Sequence, residues 1–266
     1  MSAPLPFPYV GPATLPEHFL ATLAALRRWS WRHGVLLNAL SFRAPTPAQL
    51  AAVRSSLTGV VNERTWVVDH SHGQDAMRAG FNRNTRRALR VADASGIKVG
   101  PLAHDQAARF LPDFLDEAYG AHSVTNPYQS LGAEQLLRQI SCEKDVYVAG
   151  AFLGDECIGA IVALVHGDTV FHWVGGCRRR HRDTRANFLL HAHLLDWADA
   201  KGYRSSDLVG EGVGDGVSGF KAGFGAVPVM WFVANQTTAW WTLANTVREG
   251  LRAARPPWSP RHSRAV

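Results

Sequence analysis

VYVAGAFLGDECIGAIVALVHGDTVFHWVGG, residues 146–176, decides the fold of this chain. It is rich in β-branched and aromatic residues and is interrupted at Gly154-Asp155 and Gly167-Asp168. Gly-Asp pairs between such runs signal hairpins, because glycine supplies the left-handed backbone that a two-residue turn needs. Three antiparallel strands in a row are expected. An arginine-rich loop, CRRRHRDTRAN (177–187), leads on to an amphipathic helix from about Asn187 to Lys201. Phe188, Leu189, Ala192 and Leu195 share one face of that helix, and Gly202 ends it. A strand follows, SSDLVG (205–210). A meander, a crossover helix and a further strand make an α/β (α+β) fold, a mixed, largely antiparallel sheet flanked by helices.

Upstream, GVLLNALSFR (34–43) and TWVVDHS (65–71) read as strands, and TPAQLAAVRSSLTG as a helix capped by Thr46 or its neighbour. From Gln74 to Ala94 the pattern is helical, with Met77, Phe81, Ala88, Leu89, Val91 and Ala92 set among basic residues. Gly96 falls where a C-terminal cap belongs, and IKVGPLA begins a strand. Two helical stretches, HDQAARFLPDFLDEAYGAHS and LGAEQLLRQISCEKD, flank a turn at TNPYQS. Beyond residue 210 come the glycine-rich EGVGDGVSG and FKAGFG, a strand (VPVMWFVAN) and a last helix (AWWTLANTVREGLRAAR). The expected organisation is a partial α/β unit over 1–74, a core over 75–246, and a basic helix end and tail over 247–266.

With 266 residues, 46% of them hydrophobic and 19% charged, the chain can bury a substantial core. No apolar run reaches the ~18 residues a membrane helix needs, and MSAPLPFPYVGP reads as an extended arm rather than a signal peptide. Cys142, Cys157 and Cys177 lack CxxC spacing, which argues against a disulfide framework and a zinc site; a cytoplasmic setting is expected. The net charge of +6 is clustered: segments 81–98, 178–185 and 245–266 each carry +4, so the remainder sums to −6. Such clustering suits a polyanion, the simpler alternative being solvated arginine faces.

Two stretches carry a family resemblance. NRNTRRALRVADASGIKV (82–99) resembles the basic helix, glycine and strand that open the transferase half of Fem-like proteins. YRSSDLVGEGVGDGVSGFKAGFGAVPV (203–229) is similar to the end of that half, with its Phe-Lys and Phe-Gly pairs. The resemblance covers roughly residues 75–235. It implies a GNAT-type fold and transfer of an amino acid from aminoacyl-tRNA to an amine, with no cofactor and no membrane partner. Related GNAT proteins use acyl-CoA, which makes an acyl-CoA-dependent N-acyltransferase the alternative. Only about 75 residues precede the basic helix, too few for the full first GNAT unit of Fem-like enzymes, so the N-terminal unit is expected to be truncated. A small acceptor is then implied, of peptide, nucleoside-antibiotic or peptidoglycan type. Oligomeric state is not legible.

The same resemblance implies that Lys221 stabilises the reacting ester and that Phe220 holds the terminal adenosine. A cation beside the developing oxyanion is the most direct help a protein can give this reaction, and a glycine-rich turn lets backbone approach a ligand. The alternative is a lysine that caps a helix or pairs with Asp207, with Phe220 filling core. Coenzyme-A-using GNAT proteins carry R-x-x-G-x-[GA] in the loop before the crossover helix. Counted from Arg182, the glycine positions here hold Arg185 and Asn187, whose side chains are expected to obstruct a pyrophosphate cradle. Arg178, Arg179, Arg180, Arg182 and Arg185 suit phosphates gripped by guanidinium forks. Arg83, Arg86, Arg87 and Arg90 recur at three- and four-residue spacing, so they share a helical face and extend the candidate tRNA surface.

His172 and Trp173 occupy adjacent strand positions and are expected to face opposite ways. His172 reads as a general base or as a core histidine. Together with Asp207 and the loop residues Thr125, Asn126 and Tyr128, they form the candidate acceptor pocket. Asp69-His70-Ser71-His72 sets two histidines on one strand face, too few ligands for a metal, and none is assigned. No G-x-S-x-G, Walker or dinucleotide motif occurs.

Overall fold

A computed structural model describes residues 16–43, 47–120, 126, 146–210 and 215–253. The described chain divides into two compact units, residues 63–230 and residues 16–62 with 231–253. The second unit is discontinuous in sequence, because its two ends of the chain meet through strand pairing.

In the larger unit the strands run in the order β2 (Thr58–Asp69), β7 (Ser205–Gly210), β6 (Thr169–Cys177), β5 (Glu156–His166), β4 (Val146–Leu153), β3 (Ile97–Pro101). Neighbours are antiparallel except β6 and β7, which are parallel. The expected meander is present. Gly154 and Gly167, at φ +59° and +61°, make its two hairpin turns. Along β5 the pleat sends Ala160 and Val162 to one face and Ile161 and Ala163 to the other, and a bulge at Ile158, between the Ala151–Gly159 and Phe152–Cys157 pairs, turns Ile158 to the second face. Ala160 and Val162 pack with Leu111 and Phe114 of helix α5 (His104–Gly120). Ile158, Ile161 and Ala163 pack with Leu190, Leu194 and Ala198 of helix α6 (Ala186–Ala200). Helix α6 is buried over a wider arc than expected, and Phe188 and Leu189 are only half-buried.

The expected helix from Gln74 to Ala94 is in fact two, α3 (Gly73–Ala79) and α4 (Arg83–Ala94). Asn82 makes the break by capping α4: its side-chain oxygen accepts from the Thr85 N–H at 2.8 Å. Gly96, at φ +72°, follows α4 as expected. Strand β2 starts at Thr58 rather than Thr65, so it takes residues read as the end of helix α2 (Pro47–Ser56).

The smaller unit pairs β1 (Leu37–Arg43) antiparallel with β8 (Val227–Thr237), from Leu37 opposite Thr237 to Arg43 opposite Trp231. Its core gathers Phe19, Leu23, Leu40, Val53, Leu57 and Ala234. Helix α1 (Phe19–Arg32), which the sequence reading left unassigned, supplies two of these, and α8 (Ala239–Ala253) is the expected last helix. The Thr46 cap, the N-terminal arm, the tail, Cys142 and the helix expected over LGAEQLLRQISCEKD lie outside the described residues. Among the described residues no helix is long and apolar enough to cross a membrane. Cys157 and Cys177 are free thiols.

Candidate active site

Strands β6 and β7 are paired only over Thr169–Phe171 with Ser205–Asp207, although they continue to Cys177 and Gly210. At that point β6 also carries a bulge. Ala163 opposes His172 and Val162 opposes Val174, so Trp173 is the extra residue. Trp173 is buried in the core cluster of α5, while the His172 ring lies 4.8 Å from His191 of α6. The two neighbours face opposite ways, as expected.

A cleft of about 680 Å³ opens here, lined by residues that include Gly175, Arg179, Arg182, Arg185, Phe188 and Phe220. A second cleft of about 410 Å³ shares Arg185 and Phe188 with it and adds Asn84, Arg87 and Val91 from α4. Two basic segments that are far apart in sequence are thus brought to adjoining walls. Arg83, Arg86, Arg87 and Arg90 are all exposed, and none has an acidic partner among the described residues. Of these four only Arg87 lines a cleft.

The arginines of the loop divide by role. Arg178 lies 3.4 Å from Glu117 and 3.6 Å from Asp113, with its guanidinium 5.1 Å from the Phe114 ring centre, so it pins the loop to α5. Arg180 pairs with Glu156 and lines neither cleft. The Arg179 N–H donates to Glu117 at 2.7 Å, leaving its side chain at the cleft. Arg185 sits at the start of α6 with φ +60°, a left-handed conformation that ordinarily favours glycine. The Arg185 side chain was expected to obstruct a pyrophosphate cradle; its backbone holds a conformation that glycine adopts without strain.

Phe220 and Lys221 do not lie in a turn. They belong to helix α7 (Asp215–Ala222). The buried Lys221 ammonium donates to the carbonyls of Val209 at 2.9 Å and Gly210 at 2.6 Å, at the end of β7. Val209 itself has φ +65°, unusual for a β-branched residue and a mark of local strain. Asp207 is wholly buried; its carboxylate accepts from the Val209 N–H at 2.8 Å and from the Thr65 hydroxyl, and it lines neither cleft. The Phe220 ring is 4.8 Å from both Phe188 and His191 and forms part of the cleft wall.

The glycines after Lys221 serve packing. A Cβ on Gly223 would lie 2.5 Å from Thr85 Oγ1, and one on Gly225 would lie 3.1 Å from the Gly80 carbonyl oxygen. The Asn82 N–H donates to the Gly223 carbonyl at 2.9 Å. These glycines approach the α3–α4 elbow and line neither cleft.

His191 was missed by the sequence reading. The available signal was an imidazole one turn after Asn187 within an apolar stripe. It donates Nδ1–H to the Asn187 carbonyl at 2.8 Å. Burial pushes it down to about 4, opposed by that carbonyl and helped by the Lys221 charge. Burial also holds His172 well below the usual histidine range, with smaller contributions from His191 and Lys221.

Asn126 is buried and donates to Asp116 at 2.6 Å, lining neither cleft; Thr125 and Tyr128 lie outside the described residues. The expected pair of histidines on one strand face does not form, because β2 ends at Asp69. The Asp69 carboxylate takes the Ser71 N–H at 2.9 Å and hydroxyl at 2.8 Å, and His70 turns inward to Ser206 at 2.7 Å. Among the described residues no group of three or more His, Cys, Asp or Glu could hold a metal ion.

Residues 79–222, more than half of the chain, match the acetyltransferase (GNAT) domain family. The chain belongs to this family. Among solved structures it is similar to FemX, with TM-score 0.63 and 10% identity over 82% of this chain and 77% of that one. It is similar also to the C-terminal domain of a protein assigned as a lysylphosphatidylglycerol synthetase from Agrobacterium fabrum, with TM-score 0.60 and 16% identity over 91% and 81%. L-PGS from Bacillus licheniformis gives TM-score 0.54 and 11% identity over 89% and 78%. At these identities the likeness is one of fold. No curated protein matches the chain. As a GNAT-fold acyltransferase the protein has an arginine loop that leads directly into α6.

Proposed function

We propose that this GNAT protein transfers an aminoacyl group from aminoacyl-tRNA to the amine of a small peptide, nucleoside or peptidoglycan-type acceptor. The observation that carries the reading is the convergence of Arg87 of α4 with Arg179, Arg182 and Arg185 of the loop on two adjoining clefts. One pyrophosphate needs one such wall; a nucleic-acid end, with phosphates spaced along a strand, uses both. The fold likeness to FemX and to L-PGS supports the same reading.

Phe220 offers a ring on which the terminal base can stack. The amine attacks the ester carbonyl, an oxyanion develops, and the ribose hydroxyl leaves. The Lys221 charge, fixed at the end of β7, stabilises the negative charge of that intermediate. The ester is already activated, so positioning and electrostatics suffice for the chemistry.

A second reading has its own observation. Arg185 holds a left-handed backbone, one that glycine adopts readily, as it caps α6, and a helix N-terminus there favours a pyrophosphate of acyl-CoA. One assay separates the two. Purified protein is given a labelled, mixed aminoacyl-tRNA pool with amine acceptors, and in parallel acetyl-CoA with the same acceptors. Transfer from tRNA that RNase abolishes is the expected result. Acetyl transfer, with no salt-sensitive binding of tRNA, overturns the first reading in favour of the second.

A further inference from the structure

Behind Gly175 of the cleft wall lies the His172 imidazole, which lines neither cleft itself and which the proposed reaction has not used. Its Nε2 is shielded from solvent and has no hydrogen-bond partner among the described residues. Buried ring nitrogens are ordinarily bonded, and an orphan at a reactive site calls for a functional account. The surroundings specify one. The bulge at Trp173 turns His172 toward α6. Gly175 lines the cleft, and a Cβ there would lie 3.1 Å from the Ala160 carbonyl oxygen and from Ile161 and 3.2 Å from Nε2, so only a side-chain-free residue separates the nitrogen from the cleft at this point. The neighbouring His191 donates its Nδ1–H to the Asn187 carbonyl, and its ring packs among His172, Phe220 and Phe224. The two titratable groups that bear on His172 are His191 from α6 and Lys221 from α7. Burial and both neighbours disfavour the imidazolium, so the resting ring is neutral and keeps a lone pair.

Resting on the acyl-transfer reading above, we propose that His172 Nε2 accepts the proton that the acceptor amine loses on attack. The amine nitrogen bonds to the carbonyl carbon of the ester, and its proton passes to Nε2. The bond from that carbon to the leaving oxygen then breaks, the electron pair stays on the oxygen, and the proton returns from Nε2 to it. No other reactant is needed. The imidazole ends neutral, as it began.

The test uses the full chain, with glycinamide and hydroxylamine as acceptors and whichever donor the wild type accepts. His172→Gln and His172→Ala are compared with wild type by single-turnover rate, donor KM, melting temperature and tRNA affinity. With glycinamide the rate is expected to fall about 10²- to 10⁴-fold, with donor KM and tRNA affinity unchanged. With hydroxylamine, a stronger nucleophile that sheds its proton more readily, the deficit is expected to shrink, and free imidazole is expected to restore part of the His172→Ala rate. Gly175→Ala, which crowds Nε2 but keeps the imidazole, is expected to lower the same rate. A folded His172→Gln protein within a few-fold of wild type overturns the proposal while leaving the function standing. So does an equal loss for both acceptors without imidazole rescue, which is the mark of a merely structural histidine. A wild type inactive with both donors overturns the function itself, and this inference with it.

Discussion

The loop Arg178–Asn187 and the segment Gly219–Gly225 invert each other's use of glycine. The loop has no glycine, yet Arg185 holds φ +60° at the start of α6. The segment has three, yet Gly223 and Gly225 lie against Thr85 and Gly80 of the α3–α4 elbow and line neither cleft. Glycine in a sequence marks where a backbone has freedom, not what it approaches. An arginine in the left-handed region marks the reverse, a conformation imposed by the surroundings at some cost in strain. Phe220 of the segment packs against Phe188 and His191 of α6, the helix into which the loop leads.

The comparison is tested most severely at Lys221. In Lys221→Met the Val209 and Gly210 carbonyls lose their cation, and single-turnover transfer is expected to fall about 10²- to 10³-fold. Melting temperature is expected to fall as well, because two half-buried carbonyls lose the ammonium that bonds them. A lower melting temperature with an unchanged rate per folded molecule makes the segment purely structural.

Acid is the next lever. His191 sits at about 4 in the folded protein, against about 6.5 in an unfolded chain. Between these values the unfolded state binds more protons. The stability contribution is therefore complete above pH 6.5 and is lost as pH falls toward 4, by about 3 kcal/mol across the window. Denaturant titrations at stepped pH measure this, and His191→Gln is expected to flatten the slope.

Gly223→Ala sharpens the packing side of the comparison. With a Cβ 2.5 Å from Thr85 Oγ1, a loss of about 1–3 kcal/mol is expected in urea unfolding, with tRNA affinity unchanged. Arg185→Gly has the smallest effect and the most specific. Relief of the left-handed strain is expected to raise stability by about 1 kcal/mol, while the slope of log tRNA affinity against log salt falls by about one. A stability gain with no change in salt slope removes Arg185 from the nucleic-acid surface.

Much of the fold was legible because its signals are local. The Gly-Asp turns of the meander, Gly96 after α4 and Gly202 after α6 act within a few residues of themselves. The single long helix read from Gln74 to Ala94 failed for a non-local reason: Gly80 and Asn82 are shaped by contacts with Gly225 and Gly223, some 140 residues away. At the site, the arginine loop and Phe220 were found from composition and resemblance, and both line the main cleft. His191 was missed because a histidine in an apolar helix stripe looks like core until the bulge at Trp173 sets His172 beside it.

By itself the sequence determined the strand order of the meander, the crossover helix, and the clustering of positive charge, all set by hydrophobic period, turn residues and composition. Only the tertiary structure decided which arginines of the loop are taken up by acidic partners. Arg178 and Arg180 are taken up by Glu117, Asp113 and Glu156, which lie on other elements. It also decided that Lys221 closes the end of β7 and that His172 has a nitrogen without a partner among the described residues. The physical reason is common to both: a charge or a lone pair is defined by its partners, and partners brought together across the chain leave no local mark in the sequence.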